Sequence, residues 1–110
     1  MTAGEVRWVE LPTRGGRAQA GRRPAIITQT VSSLPTTLLI PLTTQLDALR
    51  FPGTLLVEKD AANGLRHSSV ALVFQLTAVD NRFIGGRLGI IPEPVMKSIW
   101  SSFDEITGRR

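Results

Sequence analysis

The sequence predicts a mainly β domain with α: a small barrel or strongly curled sheet of antiparallel strands, closed on one side by a C-terminal amphipathic helix. Three observations carry that prediction. Short apolar runs recur between residues 5 and 76, each bounded by Gly, Pro or polar turn residues. From Glu93 onward the apolar spacing changes to steps of three and four, which is a helical period. The 110 residues, 42% hydrophobic and 20% charged, have the length and balance of one folded domain, 1–110.

The elements follow in order. Residues 5–11 (EVRWVEL) read as a first strand with Val6 and Trp8 on one face. Residues 12–23 (PTRGGRAQAGRR) carry Gly and Arg and little apolar content, so they read as a loop that ends on Arg23. A second strand is expected over 24–31, with Pro24 at its start where a missing N–H matters least. A third is expected over 36–43, and Pro41 inside it predicts an edge position or a bulge. Residues 54–58 make a short strand, and the Asn63-Gly64 step marks a turn over 60–65. Residues 68–76 read as one strand, with Val70, Leu72, Phe74 and Leu76 on one face and Ser69, Ala71, Val73 and Gln75 on the other. The stretch with Gly85, Gly86 and Gly89 reads as a connection. The helix runs from Glu93 to about Thr107, with Pro92 and Pro94 at its first turn and Gly108 at its end. Its Trp100 and Phe103 are expected to pack on the sheet, or in part to meet a second subunit.

Composition excludes several chemistries. There is no cysteine, hence no disulfide, thiolate metal site or Cys nucleophile. The lone His67 leaves no paired-His mechanism and reads as a turn residue; no metal or other cofactor is expected. No apolar run approaches the ~20 residues of a membrane span, and the first residues have no apolar core of signal-peptide length, so a cytoplasmic location and no membrane partner are expected. No GxGxxG or P-loop pattern occurs, and no carboxylate pair stands out.

The charge is more telling. Net charge is +4 and the pI about 11.1; Lys59 and Lys97 are the only lysines, so Arg supplies the other positive side chains. Arg7, Arg14, Arg17, Arg22 and Arg23 crowd the first 23 residues against Glu5 and Glu10. A planar guanidinium fork suits phosphate, so this end reads either as a solvated basic surface or as a polyanion site. On the second reading Arg14, Arg17, Gln19 and Arg22 contact a single-stranded backbone, with Arg23 better fixed because it borders a strand. Thr43 and Thr44 supply hydroxyls, Gln45 an amide for a base edge, and Ser69 and Gln75 line the same groove.

These residues carry a resemblance. Glu10–Gln29 (ELPTRGGRAQAGRRPAIITQ), Ile40–Gln45 (IPLTTQ), Arg50–Glu58 (RFPGTLLVE), Ser69–Asp80 (SVALVFQLTAVD) and Gly86–Ile99 (GRLGIIPEPVMKSI) resemble, in order, the signatures of the MazF/PemK family. The resemblance spans nearly the whole chain, and the G-R-R-P loop and T-T-Q block are its specific parts. It implies an SH3-like barrel with helical additions and the toxin of a type II toxin–antitoxin pair. It also implies a homodimer neutralised by a cognate antitoxin, and metal-independent, sequence-specific cleavage of single-stranded RNA, often mRNA. That cleavage leaves 2′,3′-cyclic phosphate and 5′-hydroxyl ends. The family's catalytic arginine and threonine fall on Arg23 and Thr43. Two positions depart from the pattern: Ala18 stands where many relatives carry an acid, and Thr77 where they often carry a base.

Two other readings compete. One is a non-catalytic toxin of the same fold that binds DNA gyrase, as the CcdB type does; that type lacks the G-R-R-P and T-T-Q blocks. The other is a catalytically weakened homologue that binds RNA or antitoxin without cutting, for which the loss at Ala18 speaks.

Overall fold

The computed structural model describes residues 1–11, 21–30 and 33–109. The Gly/Arg loop reading at 12–20, with Arg14, Arg17, Ala18 and Gln19, lies outside the described residues. Within them the chain forms β1 (Glu5–Leu11), β2 (Gly21–Ile27), β3 (Thr36–Thr43), β4 (Thr54–Val57), β5 (Ser69–Leu72), β6 (Thr77–Asp80), β7 (Ile84–Ile90) and α1 (Glu93–Thr107). The seven strands make one antiparallel sheet in the order β4-β5-β3-β2-β1-β7, with β6 pairing the first half of β3. The sheet curls without closing into a barrel.

Strand alternation gives the sheet two apolar faces. Val6, Ile26, Ile40 and Leu42 join Val73, Met96 and Ile99 in the main core, which α1 covers. Val9, Ala25, Ile27, Leu39 and Val79 form a second cluster on the other face. The helix begins after Pro92 and ends on Gly108, whose left-handed backbone donates its N–H to Asp104 O, as expected. Met96 and Ile99 are buried, and Phe103 packs against the core edge-on to the half-exposed Trp100.

Four expectations need correction. The second strand starts at Gly21, so Arg22 and Arg23 belong to a strand, and Pro24 lies within it opposite Trp8. Pro24 is tolerated there because the ladder to β3 begins only at Ala25. Next, β3 is central and not an edge: β2 pairs it on one side, β5 and β6 on the other. On that side Leu72–Leu76 lie opposite only Ile40 and Pro41, the proline having no N–H to give a ladder. The expected strand 68–76 is therefore broken by a single 3-10 turn at Val73–Gln75, which turns Phe74 outward onto Phe51. Ser69 and Gln75 consequently do not share a strand face. Finally, the glycine stretch is strand β7, paired with β1 through two register irregularities.

Gly89 of β7 and Gly64 of the preceding turn have a steric reason. A Cβ on Gly89 would meet Ala62 O, and one on Gly64 (φ 69°) would meet Leu88 O, so the turn at 60–65 lies backbone-on-backbone against β7. Ile90 N–H donates to Ala62 O at 2.9 Å across this seam. Buried Asn63 organises the turn. Its Oδ1 accepts from Asp60 N (3.1 Å) and Leu65 N (2.9 Å), and its Nδ2 donates to Glu58 O (2.8 Å).

At the start of β1 the buried Glu5 accepts from Arg7 Nε (2.7 Å) and Thr2 Oγ1 (3.2 Å), with Arg87 at 3.9 Å. Burial alone raises a carboxyl pKa; the Arg7 bond and charge, with the Thr2 bond, outweigh it and leave Glu5 below its ordinary value. Its contribution to stability is full above the unfolded glutamate value of about 4.3 and is lost as pH falls through the lower folded value. A pH series of unfolding midpoints should therefore decline on the acid side, and Glu5→Gln should flatten that decline. An unchanged acid slope in the variant would reject the assignment.

Candidate functional site

Ala25 and Pro41 are the last partners of the β2–β3 ladder. Two residues beyond them, at the same end of these antiparallel neighbours, stand Arg23 and Thr43. Both have the opposite parity to core residues Ile26, Ile40 and Leu42, so they share the other face. Sequence and register thus bring the two residues to one edge of one face.

Their environments differ. Arg23 is half-buried beside its cross-strand partner Val9, and among the described residues its side chain has no ion-pair or hydrogen-bond partner. Desolvation lowers its pKa below the ordinary arginine value. A guanidinium short of water and of counter-charge gains from an arriving phosphate, and a lowered pKa makes it a better proton donor. Thr43 is buried opposite Val70, and its Oγ1 accepts from Gln45 N at 3.2 Å. That bond uses an oxygen lone pair and leaves the hydroxyl proton available to an acceptor. Thr44 and Gln45 are exposed just beyond, Gln45 leading into a 3-10 turn at Leu46–Arg50.

The remaining predicted residues scatter. Arg22 points away from Arg23, its guanidinium carbon 4.7 Å over the Trp8 ring. Ser69 is buried and spends its hydroxyl on His67 O (3.0 Å), at a core-side parity with Ala71. Gln75 is exposed on the 3-10 turn after β5. Thr77 is half-buried in β6 opposite Leu39. Val9 and Val70, the apolar neighbours of the pair, were not legible as site residues, since only strand register identifies them. Among the described residues no three His, Cys, Asp or Glu side chains gather as a metal site, and no helix is long and apolar enough to cross a membrane.

A family model described as PemK-like, MazF-like toxin of type II toxin–antitoxin system matches residues 2–107. The chain belongs to that family. Among solved structures similar to this MazF/PemK-family chain is MazF (Form-I) from Deinococcus radiodurans, at 21% identity and TM-score 0.80, covering 98% of this chain and 96% of that one. The Mycobacterium tuberculosis toxin MazF-mt6 is 16% identical at TM-score 0.77, covering 96% and 98%. An endoribonuclease in complex with its cognate antitoxin from Mycobacterial species is 16% identical at TM-score 0.72, covering 100% and 95%. At these identities the likeness is one of fold. Comparison with curated proteins returns no match.

Proposed function

We propose that this MazF/PemK-family toxin is a metal-independent, sequence-specific endoribonuclease acting on single-stranded RNA in the cytoplasm. The observation that carries the reading is the half-buried Arg23, whose side chain has no ion-pair or hydrogen-bond partner among the described residues, at the same strand end and on the same face as Thr43. In the reaction the ribose 2′-oxygen forms a bond to the adjacent phosphorus and the P–O5′ bond breaks. The 2′-hydroxyl gives up its proton and the departing 5′-oxygen gains one, leaving a 2′,3′-cyclic phosphate and a 5′-hydroxyl. Negative charge grows on the non-bridging oxygens, where Arg23 acts as clamp and Thr43 holds the phosphate by its hydroxyl. Arg23 is also the candidate acid for the leaving oxygen; a charged guanidinium is a poor base, so the base is another group.

The partners follow the same reading: single-stranded RNA, a cognate antitoxin and a second copy of the chain. Support for the dimer comes from exposed Phe51, Phe74 and Ile106, which meet around Gly53 and form apolar surface of the kind a subunit covers.

The deciding experiment is incubation of the purified chain with mixed single-stranded RNA in excess chelator. Discrete cleavage with 5′-hydroxyl ends supports the proposal. Binding without cleavage supports the weakened homologue, and intact RNA with inhibited gyrase supercoiling supports the CcdB-like reading. Thr43→Val, which keeps shape and removes the hydroxyl, should lower the cleavage rate about tenfold or more, the value of one lost donor. RNA affinity should fall steeply with added salt, because arginines displace counterions from phosphates; a flat response would count against the interface.

A further inference from the structure

Arg22 and Arg23 are consecutive in β2 and send their guanidiniums to opposite faces of one strand end. The Arg22 side opens into a cleft of about 380 Å³ lined by Trp8, Glu10, Arg22, Arg82, Phe83 and Gly85, among others. Two guanidinium–aromatic stacks line it: Arg22 over Trp8 at 4.7 Å and Arg82 over Phe83 at 4.9 Å. Arg82 also lies 3.6 Å from Asp80, a solvent-exposed pair that holds it weakly. Sequence reading gave Trp8 only a place on a strand face and gave Arg82 and Phe83 no role.

Aromatic rings interleaved with arginines stack bases and steady a single-stranded backbone. Glu10 on the same lining disfavours a bare phosphate inside the cleft and offers an acceptor to a base amino group. We propose that this cleft is a stacking pocket for one nucleobase of the single-stranded RNA, outside the Arg23–Thr43 pair. The proposal rests on the nuclease reading for its ligand. The pocket holds a flanking nucleotide and contributes to which sequences are bound.

Gly85 allows a test that removes no charge and no ring. Its φ is not positive, and a Cβ there would lie 3.5 Å from Trp8 O and 3.6 Å from Trp8 Cβ, an ordinary contact, so Gly85→Val fills the cleft on a tolerated backbone. The chain has two tryptophans, so Trp100→Phe leaves Trp8 as the only indole reporter. This full-length protein is titrated with a short single-stranded RNA made uncleavable by one 2′-deoxynucleotide at the cut. Trp8 emission should be quenched to saturation. An abasic nucleotide at one flanking position should remove the quenching and weaken binding about tenfold. Phe83→Ala and Gly85→Val should each weaken binding of the intact RNA similarly, and should add nothing to the abasic loss. Binding without Trp8 quenching, equal losses at every abasic position, or quenching by an acidic peptide but not by RNA would overturn the pocket. The two readings fail separately. Position-specific quenching by an RNA whose all-ribose counterpart is never cut leaves the pocket and removes the nuclease. Normal cleavage and binding by Gly85→Val and Phe83→Ala leaves the nuclease and removes the pocket.

Discussion

Arg23→Ala is expected to cut RNA about 10²–10³-fold more slowly than the parent chain, the usual effect of deleting one donor aimed at developing negative charge. The unfolding midpoint should barely move. The Arg23 side chain makes no ion pair or hydrogen bond among the described residues, so its removal breaks no structural contact of that kind. Arg23→Lys should recover only part of the rate, because an ammonium keeps the charge and loses the fork that grips two phosphate oxygens. Initial rates on one RNA substrate, paired with thermal melts, separate these outcomes. Near-parental cleavage by Arg23→Ala would remove the residue from the mechanism.

The largest expected loss of stability lies elsewhere, at Asn63. Its buried side chain accepts two backbone N–H groups and donates to Glu58 O, fixing the turn that seals against β7. Asn63→Ala leaves those groups without partners, at about 1–3 kcal/mol for each one kept from water. A net loss of about 3 kcal/mol should lower the unfolding midpoint by roughly 15 °C in a domain of this size. Asn63→Asp keeps the acceptor, loses the donor to Glu58 O and introduces a buried charge, so it should also destabilise. A melting curve for Asn63→Ala that overlays the parent would show that the turn is not what holds β7.

The parts of the fold visible in the sequence are those set by local chemistry. The helix shows in its period, in Pro94 in its first turn and in Gly108 at its left-handed end. β1, β3 and β4 show as apolar runs. What was hidden depends on contacts distant in sequence. β7 reads as a linker because of its three glycines, of which Gly89 answers to the close passage of the 60–65 turn, a contact distant in sequence. The break between β5 and β6 follows from both pairing β3 across Pro41, so the smooth alternation of 68–76 misled. For the candidate site, the motif blocks single out Arg23 and Thr43, whereas their common edge follows from the β2–β3 register. Ser69 lies apart from that edge because its parity with Ala71 turns it to the core, where its hydroxyl donates to His67 O. Arg82 and Phe83 were missed because only the fold brings them beside Trp8.

One measurement bears on the mechanism most directly: cleavage of an RNA carrying a single 2′-deoxynucleotide at the position cut in the all-ribose strand, with chelator present. If the ribose supplies the nucleophile, cleavage at that bond stops while other susceptible bonds in the same strand are cut at their usual rate. Continued cleavage at the deoxy position would mean that water or a protein group attacks phosphorus, and would contradict the account.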